Sequence, residues 1–457
     1  MNSNDERVSF LPPEIQAEAG AGRPTAALVA EVAARLSAAR EGYLARLPVA
    51  EIVEILDRSV GLWLEAGSPW LDAACRRIAA TTPYSEVMVR VGITRLLESC
   101  RKDGLFTLLG AELGDPEVLD GLRPRPGVRG LHRALGPALT THIFSGNVPG
   151  LPAVSLVHGL LVKSANLGKP AADEPIFPAL FARSIAAVDS RLAASVAILP
   201  WSGGDTAVEA AAFAASEAVI AYGSDDSIES VRSLVPPGVR FVGHGHRLSL
   251  AVIGREAMDP GSVASLAERV AHDVSLFDQQ GCVSPHVVYV EGGGGVPPEV
   301  FAEELAAAMA AFERRMPRGR LTIEEGAAIR QARAEAELRE LRGDRVRLLV
   351  SPAGTAWTVI YEEDAAFVPS CLNRVVRVKP LANPGDLPAL LRPVSRYLQT
   401  VGAGMSPERR NRLADLLAPL GVCRVCSVGE MPHPPLHWHH DGGFNLLPIL
   451  KWTAIEE

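Results

Sequence analysis

THIFSGNVPGLPAVSLVHGLLVKSANLGKP, residues 141–170, is the stretch whose reading decides the fold. Thr141–Ser145 is a short strand-like run that ends in a Gly/Asn/Pro turn. Pro152–Gly159 is apolar, and LLVKSA, 160–165, reads as a buried strand running out at Lys163 and Ser164. The rhythm continues downstream with a helix from about Pro175 to Ser190, the run SVAILP, a helix from about Asp205 to Ala215, and the runs AVIAYG and FVGHG. Short apolar runs alternating with helices predict a parallel sheet covered on both faces. A second series of strands, SLAVIG, HVVYVE, RLLVSP, WTVIYE and VVRVKP, begins at Ser249 and predicts another lobe.

Upstream, Thr25–Ser99 carries Ala-rich amphipathic runs broken by Pro48, Pro69 and Pro83, which predicts an arm of helices. RPRPGVRGLHRA, 123–134, is a basic connector into the first strand. The expected division is residues 1–247, helical arm and nucleotide-binding lobe; 248–428, nucleophile lobe; and 429–457, a C-terminal segment returning to the first lobe or to an oligomer interface.

Composition sets limits. The 457 residues exceed one ordinary core, and 47% hydrophobic with 21% charged residues is too apolar for a disordered chain. A net charge of -8 and the lack of a long Lys/Arg cluster exclude nucleic acid as an expected partner. The longest apolar stretch, Leu151–Val162, falls far short of the roughly 20 residues of a spanning helix, so the chain is not expected to be transmembrane. MNSNDERVSF lacks the order of a secretion signal, so a cytoplasmic location is expected, with six cysteines kept as thiols.

Four segments carry chemistry. In FDQQGCVSPHVVYVE, Cys282 follows Gly281 and polar Gln279 and Gln280 and opens onto a strand, which suits a nucleophile that forms a thioester. A buried cysteine packed as a small hydrophobe is the alternative. In SGNVPGLP, Asn147 offers amide donors to an oxyanion, or simply makes the turn. Lys163 and Ser164 lie where a strand is expected to end at a nucleotide crevice, although lysine also caps strands in solvent. In AYGSDDSIESV, Gly223 and Ser224 precede a helix whose N–H groups suit a phosphate, although Asp225 and Asp226 compete for that role as ordinary caps. No G-x-G-x-x-G and no P-loop are present.

In order and spacing these segments resemble the aldehyde dehydrogenase superfamily, and most closely its acyl-CoA reductase branch, the LuxC family. NRVVRVKPL and the tail HHDGGFNLLPILKWTAIE resemble that branch in particular, and the likeness covers about Thr140–Glu457. It implies an aldehyde-dehydrogenase-like α/β fold of two parallel-sheet lobes. It also implies NADPH-dependent reduction of an acyl thioester to an aldehyde through an acyl-Cys282 intermediate, with Asn147 and the Cys282 N–H at the oxyanion. The donor would be acyl-CoA or an acylated carrier or enzyme, and the chain would form a homodimer or homotetramer through the run Phe444–Trp452.

Three departures matter. The stretch GHGHRLSLAVI lacks the carboxylate that hydrolytic relatives use to activate water, which favours reduction over acid formation. Taking Lys163 as the cofactor lysine puts Asn166 where those relatives place a ribose-binding Glu, which makes room for a 2′-phosphate. Their nicotinamide-ribose Glu is missing from SCLNRVVRV, where Asn373 would substitute. Two readings compete: the reverse, acylating oxidation of an aldehyde, and an acyl-carrier-binding protein without turnover. Cys423 and Cys426 with His433, His437, His439 and His440 raise a structural zinc, but the spacing is irregular and no metal is expected. The tail histidines are expected to line the site mouth or pack between lobes.

Overall fold

In the computed structural model, which describes residues 8–11 and 23–456, the chain forms three sheets. Strands β1 (Arg123–Arg125) and β2 (Val128–Leu135) lead into β3 (Leu139–Ile143), β4 (Ala165–Lys169), β5 (Val196–Ile198), β6 (Ala218–Tyr222) and β7 (Arg240–His244). The second series is β8 (Leu248–Ile253), β9 (Pro285–Glu291), β10 (Val346–Val350), β11 (Thr358–Glu362), β12 (Val375–Leu381), β13 (Leu398–Gly404) and β14 (Arg424–Ser427), and β15 (Lys451–Ile455) closes the chain.

The first lobe is a parallel sheet in the order β5-β4-β3-β6-β7. Its strand order reverses between β3 and β6, so a crevice opens beyond their carboxyl ends. One face is covered by the helices Ala26–Gly42 and Thr206–Ala214. The other carries Leu151–Leu161 and Phe177–Val188, over which the helical arm packs with Trp63 donating to Ser184 Oγ at 2.8 Å. The second lobe is the sheet β10-β11-β12-β9-β8-β13-β14, parallel except for β10 on β11. It too is buried on both faces. β1, β2 and β15 form a separate antiparallel ribbon.

One local expectation is corrected. Pro152–Gly159 lies in a helix that continues to Leu161, so LLVKSA contains a helix end and a turn, and β4 begins only at Ala165. An apolar run buried all round is compatible with either element, and periodicity alone does not separate them. Within the run Phe444–Trp452, Leu446, Ile449 and Leu450 are buried in the chain's own first core while Phe444 is exposed, and β15 pairs with the chain's own β2. Among the described residues no helix is long and apolar enough to cross a membrane.

Candidate functional site

The carboxyl ends of the first sheet face the amino ends of the second, and a cavity of about 520 Å³ lies between them. Ser145–Asn147 after β3, Tyr222–Asp226 after β6 and His244–Arg247 after β7 line one side. Gln279–Cys282 before β9, Leu372 before β12 and Gln399 at the start of β13 line the other, with His440 from the tail.

Cys282 is partly buried in this cavity. Its carbonyl accepts a 2.7 Å hydrogen bond from Ser249 Oγ on β8. The strain that aims the loop does not fall on Gly281, where an added Cβ would meet only Ser284 Oγ at 3.3 Å. It falls on Phe277, Asp278 and Gln279, whose φ values of 54°, 51° and 66° are left-handed. Such backbone costs on the order of 1–3 kcal/mol per residue and persists only where the surroundings impose it. Here Arg374, 1% exposed, donates from Nε to Asp278 Oδ1 at 2.9 Å, and Gly319 N–H donates to Oδ2 at 3.0 Å. Gln279 donates to the Pro285 carbonyl at 2.8 Å and accepts from Val375 N–H at 3.0 Å. Leu372, Asn373 and Arg374 are themselves left-handed, with φ 63°, 56° and 64°, so two strained turns clasp each other.

Asn147 reaches across from the first lobe. Its Nδ2 donates to the Gln280 carbonyl at 3.0 Å, its Oδ1 accepts from Ser145 Oγ at 2.8 Å, and its own carbonyl accepts from Tyr84 Oη at 2.6 Å. One of its two amide N–H groups is thus spent on the nucleophile loop itself. Gly223 and Ser224 line the cavity at the start of the helix Asp225–Leu234, which Ser224 Oγ caps by accepting from Ser227 N–H.

Four predicted cofactor residues, Lys163, Ser164, Asn166 and Asn373, do not line the cavity. Lys163, with φ 59°, precedes β4 at the opposite edge of the sheet, buried, and its ammonium pairs with Asp120 at 2.5 Å. Ser164 bonds Thr140 Oγ1 at 2.8 Å at the same edge, and Asn166 is fully buried in β4 between His142 and the Ser164 carbonyl. Because β4 starts later than expected, the lysine at its carboxyl end is Lys169, which burial pushes below its ordinary pKa against the opposing charges of Glu209 and Asp173. The residue three positions beyond it is Ala172. Asn373 stands behind the cavity wall, accepting from Gln280 Nε2 at 3.3 Å and donating to Glu325 at 3.3 Å.

The sequence reading missed a polar cluster opposite the thiol. His244 Nδ1 donates to Asp441 Oδ2 at 2.8 Å, while Arg247 Nε at 2.8 Å and Gln399 Nε2 at 2.7 Å donate to Oδ1. Burial opposes ionisation of Asp441, but the hydrogen bond from His244 and the charges of His440 and Arg247 hold its carboxyl well below the usual range. His440 is pushed down to about 3 by burial, with His244 adding to it. The Cys282 thiol is pushed up to about 12, first by burial and then by the Asp441 charge, against Gln399 and Arg247. Donor atoms of His244, His440 and Asp441 lie within 4.8 Å of one another, the one such grouping among the described residues. Arg247 and the His244 proton already occupy the carboxylate, so the trio reads as a hydrogen-bonded cluster, and Cys423 and Cys426 join no histidine set. The expectation that tail histidines line the site mouth holds for His440.

A family model described as acyl-CoA reductase (LuxC) matches residues 44–452. The long-chain acyl-protein thioester reductase of Vibrio harveyi is 23% identical over 395 residues, covering 85% of this chain and 78% of that protein. The enzyme of the same name from Aliivibrio fischeri is 26% identical over 366 residues, 78% of this chain and 71% of the relative. Among solved structures, lactaldehyde dehydrogenase from Escherichia coli superposes with a TM-score of 0.70 at 14% identity over 95% of this chain and 92% of its own. An aldehyde dehydrogenase from Brucella melitensis biovar abortus 2308 does so with a TM-score of 0.71 at 13% identity over 95% and 90%. The two-lobed fold is therefore that of the aldehyde dehydrogenases.

Proposed function

The chain belongs to the acyl-CoA reductase (LuxC) family, and from that premise we propose that it reduces an acyl thioester to the aldehyde through an acyl group held on Cys282, with NADPH as reductant. The observation that carries this reading is a single cavity lined by both Cys282 and Asn147, each delivered by a different lobe, with the Asn147 amide bonded to the loop that bears the thiol. The Cys282 sulfur attacks the thioester carbonyl, a new C–S bond forms, and the donor thiol leaves. The second N–H of Asn147 and the Cys282 backbone N–H are the donors for the transient oxyanion. The His244–Arg247 link carries no carboxylate to activate water, which favours reduction over acid formation.

Gly223, Ser224 and the helix start behind them suit a pyrophosphate, and Lys169 suits a ribose or phosphate oxygen. The fit rests on a helix N-terminus opening into the cavity, although Asp225 and Asp226 of its first turn oppose a phosphate there, and on the half-buried Lys169 ammonium at the carboxyl end of β4. Bound there, a reduced nicotinamide supplies the hydride. The position three beyond the strand-end lysine is the uncharged Ala172, but Asp173 beside it lines the cavity, so NADPH is proposed on the family resemblance. The acyl donor is read as CoA, a carrier or an acylated partner, and the relatives' names favour long chains. The test is an acyl-thioester panel followed by NADPH oxidation, with aldehyde trapped and the enzyme's intact mass recorded. An acyl adduct and aldehyde are expected; NADPH oxidation without either excludes the reading.

A further inference from the structure

A thiol held near 12 by burial is neutral at physiological pH, and the thiolate is the attacking form. The cavity must therefore contain an acceptor for its proton. Four histidines line it: His244, His246, His286 and His440. His286 is excluded because its Nδ1 accepts from Ser370 N–H at 3.0 Å, which leaves the neutral ring's proton on Nε2 and no free lone pair. His246 stands edge-on to Tyr397, 5.6 Å between centroids, with no carboxylate bonded to its ring.

His244 has what the others lack. Asp441 is ionised and accepts from Nδ1, so the proton of the neutral ring sits there and Nε2 keeps its lone pair. The ring packs against both Tyr222, 4.6 Å away, and His440, 4.2 Å away, which are 6.2 Å from each other, and His440 is backed by Trp438 at 4.8 Å. It is thereby kept from turning. Gln399 ties the two sides together: its Nε2 holds Asp441, and its side chain also faces the Cys282 thiol.

We propose that His244, oriented by Asp441, is the proton acceptor and donor for Cys282. The Sγ–H bond breaks and its proton passes to His244 Nε2 as sulfur bonds to the carbonyl carbon. When the tetrahedral adduct collapses, the C–S bond to the donor thiol breaks and the departing sulfur takes that proton. His244 returns neutral, with no net change in protons or electrons over the transfer. Asp441 is a positioning residue, acting through the imidazole as in other Asp-His-nucleophile arrangements. The groups facing His244 are Tyr222 from β6, Arg247 from the β7–β8 link, His158 from the helix Leu151–Leu161, and His440 and Asp441 from the tail.

The acyl-transfer step rests on the proposed function, but proton acceptance from the thiol does not, and the experiment separates them. Alkylation of Cys282 by iodoacetamide is followed by peptide mass spectrometry against pH in the full-length wild type, His244→Gln, Asp441→Asn and His440→Gln. At neutral pH His244→Gln should lower the rate on the order of 10²-fold. The gap should close as pH rises toward the thiol's own range. Asp441→Asn, which keeps the hydrogen-bond shape, should lower it about tenfold and carries the test if the glutamine variant does not fold. Unchanged pH profiles in both variants, or a loss confined to His440→Gln, overturn the assignment. Acylation by acyl-CoA is measured in parallel. A wild type that alkylates through His244 yet forms no acyl adduct refutes the proposed function and leaves the dyad standing. An adduct formed equally fast in wild type and His244→Gln does the reverse.

Discussion

The cavity has two walls built on different principles. The wall that carries Cys282 is clamped by a buried ion pair and by two left-handed turns that hold each other, 277–279 and 372–374. The wall opposite is assembled from residues almost two hundred positions apart, His244 and Asp441, and held by stacked rings and one shared carboxylate. The first wall fixes an atom in space; the second fixes a proton on one nitrogen. A covalent site needs both kinds of order, and the molecule draws them from strain in one place and from charge in the other.

The contrast is open to test. Cys282→Ala should abolish both the acyl adduct and aldehyde formation while nucleotide binding, followed by fluorescence titration, survives; retained turnover would remove the covalent mechanism. Arg374→Met should destabilise the protein by about 3–5 kcal/mol in denaturant unfolding, because Asp278 is left charged and buried. A loss under about 1 kcal/mol would mean that the clamp lies elsewhere. Asn147→Ala should lower turnover on the order of 10²–10³-fold with little change in acyl-substrate affinity, and an unaltered rate removes it from the oxyanion.

Acid should weaken the tail wall before the clamped one. Burial pushes His440 and the neighbouring His158 on the tail wall down to about 3, while the clamped wall holds His286 at about 4, so opening the tail wall takes up more protons. Stability is then fully present above the ordinary histidine range near 6.5 and is lost as pH falls toward those folded values, by up to about 1.4 kcal/mol per pH unit for each ring. Asp441, whose pKa is lowered, adds its loss only below the ordinary carboxylate range. Hydrogen exchange at mildly acid pH should show residues 437–443 losing protection before 276–284; simultaneous loss would refute the distinction. The smallest expected effect concerns the two lysines of the 141–170 stretch. Lys169→Ala should weaken nucleotide binding about tenfold, whereas Lys163→Met should leave it unchanged and only lower the melting temperature.

Those two lysines also mark how far the sequence could be read. LLVKSANLGKP holds both, and with an apolar run in front of it nothing local says whether the strand precedes Lys163 or ends at Lys169. The choice is made by pairing: Leu139 registers with Ala165 and Ile143 with Lys169, which puts Lys163 at the amino edge. Cys282 and Asn147 were legible because a thiol after Gly281 and an amide inside a Gly/Pro turn are exposed by their immediate neighbours. The β7–β8 link showed that a carboxylate was missing, yet it gave no sign that Asp441 would arrive from the tail.

The α/β class, the alternation of buried strands and helices, the two lobes, and the thiol and amide that line the cavity could all be read along the chain. These follow from hydrophobic period and turn chemistry, which act over a few residues. Tertiary pairing was needed to settle which lysine ends the strand, which imidazole is held by the tail carboxylate, and where the apolar tail is buried. Strand register and the partner of a hydrogen bond are properties of pairs distant along the chain, and no local pattern encodes them.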